Sequence, residues 1–239
     1  MTSNILWLIA ARSGSKSIKN KNIKDLAGMP LLQYRIKTAL SLSENTHIWC
    51  STDTEEYAEI ARAAGAYVPF LRPEELSTDS ASSTDVVLHA MAYAEKQGFH
   101  YDYIGLLEPT SPFVYKKHLC EAINNLDTEA RAEAIVAVKE SRPHTIFIQD
   151  EAPYLDNLAR NLAQFTKLGR QAFSKQITPS GGFYISRWHA FKINRTFYTE
   201  KTLSYLLPDE CCLEIDEPID WAWATFLIDK GYIDLNEIF

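Results

Sequence analysis

Short, uninterrupted apolar runs alternate with helical segments along this chain, and this alternation restricts the folds that the chain can adopt. The run at 5–9 contains no polar residue, as expected for a strand buried on both faces of a sheet. Further strands are indicated at 47–50, 103–107 and 134–138, each separated from the next by loops and amphipathic segments. The order predicts an α/β fold with a mostly parallel sheet and helices on both faces. The loops that follow the strands should then gather at one edge, where ligands bind.

Composition and charge are those of an ordinary globular protein. The chain has 239 residues, and 46% of them are hydrophobic, which is too apolar for a disordered chain. At roughly 150 residues per domain, this length predicts a single domain over 1–239. Lysine and arginine number 24 against 31 aspartates and glutamates, a net charge of −7. This acidic balance argues against nucleic acid as a general partner.

Cysteine usage and the N-terminal sequence together indicate a compartment. The four cysteines, Cys50, Cys120, Cys211 and Cys212, form no C-x-x-C pair, as is typical of reduced, buried thiols. The apolar run near the N-terminus is too short for a signal peptide or a membrane helix. We therefore predict a cytoplasmic protein that does not bind a membrane.

Two helix starts are indicated by residues that commonly cap helices. Asp53 has Glu56 three residues later, the spacing of a capping box, which predicts that Asp53 begins a helix. Ser82 precedes another helical segment and is a candidate cap for it. Both residues therefore have a structural role available before any functional one.

The regular alternation breaks down between 140 and 180. This stretch is polar and has poor periodicity. An inserted subdomain, an oligomerisation arm and an active-site flap are all compatible with it. We place a dimerisation or flap insertion at 140–170, within the single domain.

The loop after the first strand carries an unusual concentration of positive charge. Between 12 and 24 there are five cations and no acid, in a chain whose net charge is negative. Gly14 lets backbone amides approach a ligand, and the serine hydroxyls and lysines complete a cradle for an anion such as a triphosphate. A P-loop and a dinucleotide-binding fingerprint are both excluded, because each motif requires at least two glycines in this loop and the loop contains only Gly14. A solvated basic loop is the alternative.

The same loop begins an ordered series of motifs that resembles the CMP-sialic acid synthetases, or acylneuraminate cytidylyltransferases. The motifs are IAARSGSKSIKNKN at 9–22, STD at 51–53, VPFLRP at 68–73, TDSASS at 78–83, PTSP at 109–112, RQ at 170–171, GGFYI at 181–185 and EID at 214–216. The resemblance implies a Rossmann-like nucleotidyltransferase fold. It also implies a homodimer, with 140–170 reaching toward the partner's site.

The activity implied by the resemblance is transfer of CMP from CTP to the anomeric hydroxyl of a sialic-acid-like 2-keto acid sugar, with release of pyrophosphate. Pre-placed cations would stabilise the charge that grows on the leaving group, and Lys21 is our candidate for the contact that strengthens in the transition state. The CTP-binding residues implied are Arg12, Gly14, Ser15, Lys16, Lys21, Asn22, Arg72, Asp79, Ser82 and Ser83.

An acid pair near the C-terminus is the implied site for Mg²⁺. Glu214 and Asp216 are one residue apart, so in a strand they would lie on one face and could share an ion. Asp216 is also our candidate catalytic residue, with deprotonation of the sugar hydroxyl as a hypothesis. Alternatively, Asp216 and Glu217 only support the start of the last helix.

The implied sugar-binding residues depart from the family pattern. They are Glu108, Thr110, Ser111, Arg170, Gln171 and Gly181, and Arg170 offers a bidentate partner for the sugar carboxylate. Glu108 stands where glutamine is common, Ser180 where asparagine is common, and Glu214 where aspartate is common. These departures leave the acceptor open among sialic, legionaminic, pseudaminic and 3-deoxy-manno-octulosonic acids. A sugar-1-phosphate nucleotidyltransferase and a non-catalytic nucleotide-binding module are further alternatives.

Overall fold

A six-stranded sheet forms the centre of the protein. The computed structural model describes residues 4–42, 46–141 and 176–239. The strand order in this sheet is β4-β1-β5-β7-β6-β8, and β2 and β3 form a separate two-stranded hairpin. The strands are β1 (Ile5–Ala10), β2 (Asp25–Leu26), β3 (Met29–Pro30), β4 (Thr46–Ser51), β5 (Tyr103–Leu107), β6 (Ala134–Ser141), β7 (Gln176–Arg187) and β8 (Thr202–Leu206).

The pairing confirms a mostly parallel sheet. Strand β1 pairs in parallel with β4 on one side and β5 on the other, and β6 pairs in parallel with β8. Strand β7 lies between β5 and β6 and is antiparallel to both. The loops after β1, β4 and β5 therefore leave the sheet at the same edge.

Helices cover both faces, as the alternation predicts. They are α1 (Leu31–Leu40), α2 (Glu55–Ala63), α3 (Ser83–Lys96), α4 (Lys116–Thr128), α5 (Trp188–Asn194), α6 (Pro218–Asp229) and α7 (Leu235–Ile238). Along β1, Trp7 packs with residues of α1, α2 and α4, whereas Leu6 and Leu8 pack with α3 and α5. The apolar run of β1 is thus buried on both faces.

Three details differ from the sequence analysis or add to it. Strand β8 and the β2–β3 hairpin had no predicted counterpart. Thr54, and not Asp53, is the N-cap of α2, because the Thr54 side chain accepts a hydrogen bond from the amide of Tyr57. Cys50, Cys211 and Cys212 are buried and unpaired, whereas Cys120 is exposed.

The predicted insertion lies largely beyond the described residues, since 142–175 is outside them. In the part of the chain that the structure describes, no helix is long and apolar enough to cross a bilayer.

Candidate active site

A cavity of about 470 Å³ opens at the sheet edge where β1 and β5 end. Its size falls within the range of small-molecule sites. Many residues singled out from the sequence line it: Arg12, Ser15, Lys16, Lys21, Asn22, Arg72, Asp79, Ser83, Glu108, Thr110 and Asp216. Tertiary structure therefore brings the cationic loop and the acid pair's Asp216 to the same space.

Asp53 fixes the start of the cationic loop. Its carboxylate accepts hydrogen bonds from the Ser13 amide and the Ser13 hydroxyl, each at 2.8 Å. Just before this contact, the Ala11 amide donates to the Ser51 carbonyl at 3.0 Å. The loop is thus tied to the end of β4 by a side chain that sequence analysis gave a role only as a helix cap, although it also belongs to the STD motif. Its position directly after a strand parallel to β1 is the signal that could have indicated this role.

A short 3-10 turn, Lys21–Ile23, follows the loop. It begins after Asn20, whose φ of 53° is left-handed, a conformation that asparagine tolerates better than most residues. The Asn22 side-chain amide donates to the Arg12 carbonyl at 3.0 Å. Asn22 Oδ1 is buried and has no hydrogen-bond partner among the described residues. An unused acceptor therefore lies at the cavity wall.

Two of the loop's cations are paired with Asp79. Arg12 Nη2 lies 2.6 Å from Asp79 Oδ1, and Lys16 Nζ contacts Asp79 Oδ2. Hydrogen bonds from Lys16 and then Arg12 lower the pKa of Asp79 below its ordinary value, so it is ionised at neutral pH. An internal carboxylate thus holds the cations that were expected to meet phosphate.

Arg72 is held inward against β4. It is 7% exposed, and its Nε donates to Ser51 Oγ at 3.0 Å while a terminal nitrogen donates to the Ser51 carbonyl. Burial lowers the pKa of Arg72, and the nearby charge of Asp53 opposes that shift. The guanidinium is therefore a fixed part of the cavity wall.

The two serines before α3 have different surroundings. Ser82 is the N-cap of α3 and accepts from the Asp85 amide at 3.1 Å. Ser82 does not line the cavity, whereas Ser83 does, together with Glu108. The structure therefore shows Ser82 in the helix-capping role that sequence analysis considered for it.

Three carboxylates, Glu108, Glu214 and Asp216, interact electrostatically near the end of β5, and two of them, Glu108 and Asp216, line the cavity. Burial, followed by the charges of Glu214 and Asp216, raises the pKa of Glu108 to about 6. The Ile215 amide donates to the Thr110 carbonyl at 2.7 Å, which places the acid pair beside the end of β5. This segment belongs to no strand. Even so, the buried Ile215 separates two side chains that are at least one-third exposed.

The acid segment is also tied to the cationic loop. Lys21 Nζ lies 2.9 Å from Asp216 Oδ1, with the lysine side chain 12% exposed. The Ser17 hydroxyl donates to Glu217 Oε1 at 2.8 Å. Asp220 accepts from the amides of Asp216 and Glu217 at 3.0 and 2.8 Å. Glu217 caps α6, whereas the Asp216 carboxylate pairs with Lys21. The alternative that both acids only support the start of this helix therefore holds for Glu217 and not for Asp216.

Glu214 occupies a tight corner with two other predicted residues. It pairs with Lys139, with Nζ 3.3 Å from Oε1. Gly181 has φ of +67°, and a Cβ added there would lie 2.8 Å from Glu214 Cδ and 2.9 Å from Ser111 Oγ. Ser111 Oγ is buried without a partner in the described residues. Glu214, Ser111 and Gly181 therefore form one contact group beside the cavity, although none of them lines it.

A second cavity of about 180 Å³ adjoins the first, and the two share Ser83 and Glu108. The aromatic side chains Tyr184, Phe197 and Tyr198 line it. Sequence analysis named none of these three as site residues, because aromatic positions in and after strands look like core. Arg170 and Gln171 lie outside the described residues.

No group of three or more His, Cys, Asp or Glu side chains in the described ranges is arranged to hold a metal ion. Mg²⁺, however, is commonly held by one or two carboxylates together with substrate phosphates. Glu214 and Asp216, with Glu108 within electrostatic reach of both, carry oxygen atoms of the type that such a site uses.

Several known proteins resemble this chain in sequence. A family model described as cytidylyltransferase matches residues 6–176. The chain is 32% identical over 231 residues to the N-acylneuraminate cytidylyltransferase of Escherichia coli O18:K1:H7, covering 96% of this chain and 53% of that protein. It is 31% identical over 227 residues to the CMP-N,N'-diacetyllegionaminic acid synthase of Legionella pneumophila, covering 94% of this chain and 96% of that protein.

Solved structures agree on the fold. The structure of a CMP:2-keto-3-deoxy-manno-octonic acid synthetase complexed with CTP superposes with a TM-score of 0.66 at 15% identity, covering 96% of this chain and 100% of that one. The chain spans about half the length of the Escherichia coli relative. Sheet order, cavity and sequence likeness together assign the chain to the cytidylyltransferase family.

Proposed function

We propose that this protein transfers CMP from CTP to the anomeric hydroxyl of a sialic-acid-like nonulosonic acid and releases pyrophosphate. The observation that carries the proposal is the Lys21–Asp216 pair, which joins a cationic loop to an acid segment across one cavity. Triphosphate chemistry needs both halves, because the leaving pyrophosphate gains charge while a divalent ion requires carboxylates.

The cationic loop is the proposed triphosphate site. Arg12, Ser15 and Lys16 would hold the phosphates, with Gly14 allowing the backbone to approach. Lys21 is the most enclosed of the loop's ion-paired cations, which strengthens its interaction with charge that develops in the transition state. Asn22 offers a free acceptor, which suits a ribose hydroxyl better than a phosphate.

Cytosine recognition is assigned to the loop between α2 and α3 and to the first residue of α3. Arg72 is fixed by Ser51, and Ser83 lines the cavity beside it, so both can present donors or acceptors at constant positions. The resemblance adds Ser82 and Asp79 to this set. In the structure Ser82 caps α3 and Asp79 pairs with Arg12, so neither side chain can meet the base without giving up that interaction.

A divalent ion completes the proposed site, as cytidylyltransferases generally use one, and we infer Mg²⁺. Glu214 and Asp216 would hold it, and Mg²⁺ when bound would neutralise triphosphate charge and polarise the α-phosphate. Lys21 already pairs with Asp216 at the cavity, and Lys139 pairs with Glu214 beside it.

The acceptor would bind on the acid side, at Glu108, Thr110 and the adjoining aromatic cavity, with Ser111 and Gly181 supporting that wall. In the reaction, the anomeric oxygen forms a bond to the α-phosphorus while the bond from that phosphorus to the pyrophosphate oxygen breaks. The hydroxyl proton leaves, and Asp216 is the candidate acceptor for it. A pH–rate profile that is unchanged in Asp216→Asn would contradict this role.

Among the acceptors considered, legionaminic-acid-like and pseudaminic-acid-like sugars share one support, because relatives that act on each are matched over 96% and 95% of their own length. Sialic acid is the third acceptor of this kind, and 3-deoxy-manno-octulosonic acid ranks last because its enzymes usually show a differently arranged first loop.

The test is pyrophosphate release from CTP and Mg²⁺ with a panel of nonulosonic acids and sugar 1-phosphates. Release with one nonulosonic acid is expected and identifies the acceptor. Release with a sugar 1-phosphate alone would overturn the proposal. CTP binding without release on any acceptor would favour a non-catalytic nucleotide-binding module.

A homodimer and a cytoplasmic location stay predictions. The proposed contribution of 140–170 to a partner's site falls mostly outside the described residues. Sedimentation at working concentration tests the dimer, and a monomeric profile would contradict it.

A further inference from the structure

Asp79 forms ion pairs with two cations, Arg12 and Lys16, that a bound polyphosphate would need. Its two carboxylate oxygens are divided between Arg12, at 2.6 Å, and Lys16. All three side chains line the cavity at the ends of β1 and β5. Asp79 lies on the loop before α3, far in sequence from the cationic loop, so the contact is created by the fold.

A carboxylate and a phosphate cannot share these cations without repelling each other, because both are anions at neutral pH. Lys16 is 80% exposed and Asp79 is 47% exposed. Exposed ion pairs contribute little each, so a ligand of higher charge can displace the carboxylate.

We propose that Asp79 is an internal competitor for the phosphate subsite, which holds Arg12 and Lys16 in the free protein and selects for ligands that carry several phosphates. The proposal rests on the assignment of this loop to the triphosphate. A polyphosphate can replace both contacts of Asp79 at once, whereas a single phosphate replaces them less completely. Asp79 therefore is not a direct CTP ligand.

Calorimetric titration of the full chain with inorganic tripolyphosphate and with phosphate tests the proposal. Asp79→Asn should bind tripolyphosphate about five-fold more tightly than the unmodified protein, roughly the contribution of one exposed ion pair. The advantage of tripolyphosphate over phosphate should shrink in this variant. The affinity for CTP should increase in the variant in the same way as the affinity for tripolyphosphate.

The matched control is Glu74→Gln. Glu74 is an exposed acid on the same loop that does not line the cavity, and its change removes the same unit of charge. An effect of Glu74→Gln equal to that of Asp79→Asn would show a general field effect and overturn the proposal. Weaker tripolyphosphate binding in Asp79→Asn would overturn it as well, since Asp79 would then be part of the ligand site.

A second measurement separates competition from loop distortion. Arg12→Ala with Lys16→Ala removes both partners, and adding Asp79→Asn to that background should give no gain in tripolyphosphate affinity. A five-fold gain there would contradict the proposal. Because tripolyphosphate binding needs no transfer, a protein that releases no pyrophosphate but shows these shifts would overturn the proposed function and leave this inference standing.

Discussion

The two walls of the cavity at the ends of β1 and β5 are built in different ways. The cationic wall comes from one stretch, 12–22, whereas the acid wall joins residues after β5 to Asp216. On the cationic wall, ion pairs with Asp79 and Asp216 offset the positive charge. On the acid wall, burial and then the like charges of Glu214 and Asp216 raise the pKa of Glu108. One wall of a binding site can therefore be encoded in consecutive residues, with its charges balanced by ion pairs. The other wall is assembled by the fold and places a buried carboxyl group close to like charges.

The largest effect that tests this contrast is expected at Lys21. Lys21→Ala should lower kcat for pyrophosphate release by about 100- to 1,000-fold, the usual size of losing one preorganised stabilising group. Lys24→Ala is the control, because Lys24 lies over the Trp221 ring, 4.4 Å from its centroid, and does not line the cavity. Equal losses in the two variants would mean that the loop acts by its total charge alone.

A large loss of stability is expected at Gly181, which lies beside the acid wall. Gly181→Ala should lower the free energy of unfolding by about 2–3 kcal/mol, from a left-handed backbone plus displacement of Glu214. Gly231→Ala is the matched control, since Gly231 also has positive φ but nothing lies within 4 Å of an added Cβ. Chemical denaturation measures both. Equal losses would show that the corner around Glu214 is not tightly packed.

A smaller, pH-dependent effect is expected at Glu108. Its folded pKa is raised from 4.5 to about 6, so the buried charge costs stability above pH 6, and the cost disappears as pH falls toward 4.5. In metal-free buffer, Glu108→Gln should raise the free energy of unfolding at pH 8 by about 1–2 kcal/mol. At pH 4.5 the difference should be near zero.

Glu59→Gln, a change at an exposed position of α2, serves as the control for Glu108→Gln. A Glu108→Gln protein that is less stable than the parent at pH 8 would show that the acid wall is held by attraction to its lysines and not strained by repulsion.

The smallest effect is expected at Ser82. Ser82→Ala should cost about 1 kcal/mol of stability through loss of the α3 cap, with CTP affinity within two-fold of the parent. Ser80→Ala, on the same loop, is the control. A ten-fold loss of CTP affinity at unchanged stability would instead place Ser82 on the nucleotide, as the resemblance implies.

The sequence by itself determined the α/β class, the strands at 5–9, 103–107 and 134–138, and the cationic character of the first loop. These features are local, because strand burial and charge clustering are written in consecutive residues. The family resemblance also identified most residues that line the cavity at the ends of β1 and β5.

Only the tertiary structure decided which charges meet. The Asp53–Ser13 contact, the occupation of Arg12 by Asp79 and the Lys21–Asp216 pair each join segments far apart in sequence. The antiparallel β7 and the aromatic cavity at Tyr184 and Tyr198 arise in the same way. The physical reason is that pairing energies depend on distance and burial, which a single chain segment does not specify until the sheet brings its loops to one edge.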